Sequence, residues 1–290
     1  MLGGQIRTII RRCVTRVRRS SLVQSSLALM SGSVAAQVIF LLSAPILTRI
    51  FGFTEFGVLA NYNAWVAFLA LLGSLRYEHA IIVAKNDDGT KRAIALAGTL
   101  TLVSSILFGC IAAIIHFGQL DQGYLQHILG IVLLIPVGAF VANASSILNQ
   151  LSVREGLFRS LGILAAAQAL FTVAMQIALG VLGIENAIVI GSLVGSVLYA
   201  ALLARVLWSG AVFAGFGAVR AFRRLGETAR EFANFPKYAF GADGLGLLIL
   251  SFTPVLISAV FNPAMAGVYA FGVRVIRLPL LVVSTAIAGV

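Results

Sequence analysis

The sequence predicts an all-α integral membrane protein, and three observations carry that prediction. Of its 290 residues, 60% are hydrophobic and only 11% are charged, with a mean hydropathy of +1.01; soluble domains carry about 25% charged residues. The apolar residues run without interruption, as in ILGIVLLIPVGAFVANA, whereas a membrane β-barrel needs alternating segments of ~10 residues. The basic residues fall between those runs, mostly on one side. Inside a bilayer the backbone must satisfy its own hydrogen bonds, which makes long helices the default.

Taken in order, the apolar runs occupy residues 25–48, 56–75, 93–116, 126–149, 159–181, 187–208, 239–260 and 265–288. Most reach the ~17–25 residues that cross about 30 Å of hydrocarbon. Alternate loops differ sharply in charge. One side holds the six arginines of the N-terminal arm, then Arg76, Lys85, Lys91 and Arg92, then Arg154 and Arg159. It also holds Arg205, Arg220, Arg223, Arg224, Arg230 and Lys237. Of the 21 basic residues only Arg49, Arg274 and Arg277 fall elsewhere. By the positive-inside bias the N-terminus and the even-numbered loops face the cytoplasm. The same spread argues against a nucleic-acid partner for the net charge of +11. Juxtamembrane arginines and lysines meet anionic lipid headgroups instead.

The chain divides into a basic arm (1–22), a first bundle of six helices (23–208), a cytoplasmic linker (209–238) and two helices of a second bundle (239–290). The arm reads as an interfacial helix or as an Arg-rich transit peptide. Cys13 and Cys110 form no disulfide framework or metal-ligand pattern. Within the linker, AVRAFRRLGETAREFANF has the spacing of an amphipathic helix lying on the membrane surface. Pro45-Ile-Leu followed by Gly57-Val-Leu-Ala is echoed by Pro254-Val-Leu followed by Gly267-Val-Tyr-Ala. Both first helices run outward, so the echo implies a parallel repeat. A second bundle of only two helices reads as a truncated copy of a longer transporter. Small residues at Gly191 and Gly195, and at Gly241, Gly244 and Gly246, suit close helix packing, with a hinge as the other reading.

Two stretches, SAPILTRIFGFTEFGVLA and SLRYEHAIIVAKNDDGTKRAIAL, resemble the polysaccharide biosynthesis flippases and exporters of the multidrug/oligosaccharidyl-lipid/polysaccharide superfamily. Members of that family look like PxLTRxYxPxxFGxxA followed by SLRYExAIxxPxxxxxA. Here Pro45, Leu47, Thr48, Arg49, Phe56, Gly57 and Ala60 fit the first pattern. Ser74, Leu75, Arg76, Tyr77, Glu78, Ala80 and Ile81 fit the second. Phe51, His79 and Ala84 depart from it. FPKYAF and FNPAMAGVYAFGVRVIRLPL resemble the family's later segments, so the similarity runs from about residue 24 to the end. The resemblance implies a two-lobe transporter fold with a central cavity, of which one six-helix bundle and about two further helices are present. It also implies translocation of a polyprenyl-pyrophosphate-linked oligosaccharide.

Within that frame, Arg274 and Arg277 stand three residues apart on one helix face, and Arg274 lies roughly 14 Å from the span's outer start. A mid-membrane arginine is costly and usually faces a cavity. There it can grip a pyrophosphate or an acidic sugar. Asp243 is a candidate ion-pair, proton or sodium group. Asn143, Gln168 and Gln176 are candidates for sugar contact or for interhelical hydrogen bonds. Arg49, Glu55, Arg76 and Glu78 read as gate or loop anchors, and Pro254 and Pro279 as helix bends. His79 and His116 show no metal-ligand spacing. No nucleophilic triad or phosphate-binding glycine loop is present in the sequence.

The expected function is therefore a bacterial inner-membrane flippase, not an enzyme, without a cofactor and with proton or sodium coupling as candidate driving forces. Its expected partners are the lipid-linked oligosaccharide, anionic lipids and the polymerase or export machinery of lipopolysaccharide, O-antigen, capsule or exopolysaccharide assembly. A cation-coupled drug antiporter, a lipid II flippase and a nontransporting scaffold are the alternatives.

Overall fold

The computed structural model describes residues 30–117, 130–209 and 225–288. The basic arm, Cys13 and the first half of the linker lie outside them. Among the described residues six helices are long and apolar enough to cross a membrane. They are α1 (Met30–Ile50), α2 (Phe53–Ser74), α4 (Asp87–Phe117), α5 (Leu134–Arg154), α6 (Phe158–Val181) and α7 (Ala187–Ser209). A four-residue helix, α3 (Ala80–Val83), follows a 3-10 turn over Tyr77–His79. After the linker come α8 (Leu225–Glu231), α9 (Phe240–Ser251), α10 (Thr253–Val260) and α11 (Pro263–Ala288). The described residues contain no strand, and the chain is an all-α integral membrane protein.

Local chemistry moves several boundaries away from the apolar runs. α4 starts at Asp87 rather than near residue 93. Asp87 and Asp88 in its first turn suit the positive end of the helix dipole, so the helix projects beyond its apolar part. α5 starts at Leu134 instead of residue 126 and runs past residue 149 to Arg154. It stops at Gly156, whose φ of +73° is the left-handed geometry of a helix C-terminus. Leu157 N–H reaches back to Ser152 O at 2.9 Å. The run predicted as a seventh span is not one straight helix. A π-turn at Phe235–Ala239 leads into α9, and the axis turns by 41° at the break before α10. Pro254 stands in the first turn of α10. α11 continues through Pro279 to Ala288.

Two apolar clusters hold the bundle, one towards each end. Towards the end carrying most of the basic residues, Ile81, Leu96, Leu151, Leu203 and Leu207 form a core with Phe232 and Phe235 packed against it. Towards the opposite end, Leu47, Phe51, Ile131, Ile135 and Ile188 form the other. Between them the facing surfaces of α2, α5, α6 and α7 turn polar, with Asn63, Ser145, Asn149, Gln168, Thr172, Ser192 and Ser196. Outward surfaces are apolar: Leu102, Val103, Ile106, Leu107 and Ile114 of α4 are exposed, as lipid-facing residues should be.

Of the linker segment read as a membrane-surface helix, the described part, from Leu225 on, is docked on the bundle. Thr228 of α8 is fully buried, Tyr77 Oη donates to Ala229 O at 3.2 Å, and Arg92 pairs with Glu231 at 3.3 Å. The predicted apolar face is Ala218, Ala221, Phe222 and Leu225, of which only Leu225 is among the described residues; it packs together with Ala229 and Phe232 on the basic end of the bundle.

Glycine permits close helix crossings. A side chain on Gly195 would enter Thr172, and one on Gly191 would meet the Gln176 backbone, which explains the close α6–α7 pairing. Gly57 of α2 lies against Pro263, while Gly267 of α11 lies against Phe53. The two glycines of the sequence echo therefore meet each other's helices reciprocally.

Candidate functional site: a polar cavity with one guanidinium

α2 is the strut against which the later helices lie. Near the opposite end Phe53 and Phe56 stack edge-on with Phe271, at 6.3 and 6.1 Å between centroids. Midway, Asn61 Nδ2 donates to Ser258 Oγ at 3.0 Å with both residues buried. Below them Trp65 and Phe68 clasp Phe252, the residue at the bend, at 5.4 and 5.2 Å. At the basic end Arg76 Nε meets Asp243 at 2.8 Å.

Beside this strut lies a cavity of about 400 Å³, within the usual ~300–1,000 Å³ range of ligand pockets. Its walls come from α1 (Gln37, Phe40), α2 (Leu59, Asn63), α6 (Gln168, Gln176) and α11 (Arg274), with further residues from α7. Arg274 is the one charged side chain among the described residues that line it. Its guanidinium stacks on the Phe40 ring, 4.5 Å from the centroid. A cation over an aromatic face is held without using up its hydrogen-bond donors. Arg274 has no carboxylate partner among the described residues, so its fork stays free for an anion.

The predicted polar residues separate on inspection. Gln168 and Arg274 line the cavity together. Gln176 also borders it, but its Nε2 donates to Ile188 O and to Ser192 Oγ, each at 2.9 Å. That amide ties α6 to α7. Asn143 is buried at 4% exposure with its amide against Gly73, and it lines neither of the two cavities described here. Asp243 is engaged by Arg76 and stands outside the cavity wall. Arg277 and Pro279 lie on α11, with side chains outside the described set.

Arg76 does more than anchor a loop. It reaches Glu78 at 3.3 Å and Asp243 at 2.8 Å, joining the end of α2 to α9. Glu78 is 1% exposed, and its second carboxylate oxygen is buried without a hydrogen-bond partner among the described residues. Both Leu75 (φ 46°) and Arg76 (φ 63°) take left-handed backbone conformations, which cost a non-glycine residue roughly 1–3 kcal/mol each. Arg49 and Glu55 are exposed at the opposite end and make no ion pair with each other among the described residues.

Two contributors escaped the sequence reading. Arg154 donates from Nη1 to the carbonyls of Ile81 at 3.1 Å and Ala84 at 2.7 Å, closing the α3 turn. Asn63 is exposed in the middle of α2 and borders the cavity. A polar residue inside an apolar run is the signal that could have marked it.

Comparison with curated proteins and with solved structures gives no match. The sequence profile described as polysaccharide biosynthesis protein matches residues 46–290, a stretch that holds α2 to α11 and most of the cavity wall. The chain belongs to the polysaccharide biosynthesis protein family.

Proposed function

We propose that this chain is a flippase that carries a polyprenyl-pyrophosphate-linked oligosaccharide from the cytoplasmic to the periplasmic face of the bacterial inner membrane. The observation that carries the reading is the lone guanidinium of Arg274 in an otherwise neutral polar cavity. A pyrophosphate needs charge-assisted, bidentate donors, while the attached sugars need amides and hydroxyls. The polyprenyl tail needs neither and stays in lipid. In this reading the basic end faces the cytoplasm, following the arginine and lysine bias. Movement of one helix group against another then exposes the cavity to each side in turn. Family membership supports the link to polysaccharide assembly. The cavity's single positive charge opposes a drug antiporter, because a cationic drug would meet repulsion there.

Purified protein in liposomes tests the reading by competition. A fluorescent polyprenyl-pyrophosphate oligosaccharide should be translocated, and an unlabelled anionic homologue should compete. A neutral glycolipid and a cationic dye should compete weakly. Preferential transport of the cationic dye would overturn the proposal.

A further inference from the structure

A second chamber of about 280 Å³ lies within the first six helices, between α2, α5, α6 and α7. It shares Asn63, Gln168, Ser192 and Ser196 with the Arg274 cavity, so the two spaces adjoin. Tyr62 comes from the apolar cluster at one end and Tyr199 from the cluster at the other, and both line the chamber with Ser145 and Asn149. No charged side chain is among its described lining residues.

The hydrogen-bond inventory shows what such a space can still hold. Tyr199 Oη donates to Asn149 Oδ1 at 2.6 Å, which leaves the two amide protons of Asn149 available. Ser196 spends its hydroxyl proton on the Ser192 carbonyl one turn back at 3.0 Å, so its oxygen can act as an acceptor towards the chamber, whereas Ser192 Oγ donates to Ile188 O and already accepts from Gln176 Nε2. Asn63 and Gln168 each offer both kinds of group. The tyrosine rings add apolar faces with a polar edge. A mixture of donors, acceptors and flat apolar surface without net charge matches a polyol. It does not match an ion, because a carboxylate placed there would lose its hydration with no cation to replace it.

We infer that this chamber is a subsite for an uncharged sugar residue, lying next to the pyrophosphate-binding cavity and selecting against acidic sugars. The inference rests on the flippase reading, since it assumes that Arg274 seats the pyrophosphate. Substrate entry would place the phosphates at the junction bordered by Gln168 and Asn63 and the first sugar between the two tyrosines.

Three short-chain probes separate the subsite from the reading beneath it: farnesyl diphosphate, the same compound bearing one glucose, and the same compound bearing one glucuronate. Binding to the purified full chain in nanodiscs would be measured by calorimetry, alongside Asn149→Ala and Arg274→Ala. Two or three added hydrogen bonds should make the glucosyl probe bind ~10-fold tighter than farnesyl diphosphate, and the glucuronyl probe should show no such gain. Asn149→Ala, which lines the chamber and not the Arg274 cavity, should erase most of that gain while leaving farnesyl diphosphate affinity within ~2-fold. Arg274-dependent binding of all three probes, with no glucose preference, would overturn the subsite and leave the flippase reading intact. Equal or tighter binding of the glucuronyl probe would overturn the subsite as well. Absence of Arg274-dependent binding for every probe would bring down both. Asn149→Asp, close in shape to the native residue, checks the same point by charge: it should weaken the glucosyl probe and leave the fold intact.

Discussion

Arg274 shows how one residue changes meaning between sequence and structure. In the sequence it is a charge where charges are costly; in the fold it has Phe40 behind it and a cavity in front. Substitution by lysine keeps a point charge but loses the planar fork, so Arg274→Lys should retain part of the binding that Arg274→Ala loses. The Arg76 cluster lends itself to a different test, because its two acidic partners sit in different surroundings. Asp243 is 43% exposed, so its pairing contributes at most about 1 kcal/mol. Glu78 is 1% exposed, and removing the partner of a buried charge costs about 3–5 kcal/mol. Arg76→Ala should therefore lower the unfolding temperature in detergent clearly more than Asp243→Asn does. Equal effects would show that the exposed pair carries the cluster. The sequence named Arg76, Glu78 and Asp243 singly, and pairing with a basic residue was among the readings of Asp243. It did not indicate which partner, because residues 76 and 243 meet only through packing of α2 against α9. For Gln176 the sequence left sugar contact and an interhelical hydrogen bond equally open, and the structure shows the second; which of the two holds depends on the register between α6 and α7.

Among the helices, existence was legible, and the ends of α6 and α7 fell within one residue of their apolar runs, but the start of α4 and both ends of α5 did not. Uninterrupted apolar runs identify spans because a bilayer imposes their length. The ends depend on caps and turns that contribute little to hydropathy. The aspartates at the start of α4 and Gly156 after α5 moved boundaries by several residues. Neither Leu75 nor Arg76 is of the type that marks a left-handed turn, so the turn after α2 was invisible. The bend between α9 and α10 was foreshadowed by Pro254, and Phe252 is gripped there by Trp65 and Phe68. The α6–α7 crossing gives the sharpest prediction among the helices. Gly195→Val would drive a branched side chain into Thr172, and Gly195→Ala would do so less. The valine variant should lose folded yield by size-exclusion chromatography, with alanine intermediate. Full tolerance of valine would mean that the helices are not held as close as described. Arg154→Ala should cost about 1.5–3 kcal/mol by removing a charged donor from the carbonyls that end α3. Detergent stability measured against Arg159→Ala, at an unrelated basic position, provides the control.

For the molecule as a whole, the division of polarity is the feature that matters. Apolar clusters lie towards the two ends, and the polar residues gather between them. Composition could foretell the bilayer, but it could not place Tyr62 and Tyr199 on either side of one chamber, since that depends on how four helices rotate against each other. Orientation has its own test. With Cys13 and Cys110 replaced by serine, Lys85→Cys and Glu185→Cys report the basic and opposite ends; both native positions are exposed. An impermeant thiol reagent added to intact cells should label position 185 and spare position 85. The reverse pattern would invert the proposed direction of transport.

The most direct measurement is translocation of a fluorescent polyprenyl-pyrophosphate oligosaccharide in proteoliposomes, comparing the unaltered protein, Arg274→Lys and Arg274→Ala at matched folded protein. Loss of one charge-assisted contact should reduce initial transport at subsaturating substrate by ~10- to 100-fold in Arg274→Ala, with Arg274→Lys between the two. Unchanged transport by Arg274→Ala would contradict the claim that this guanidinium seats the pyrophosphate.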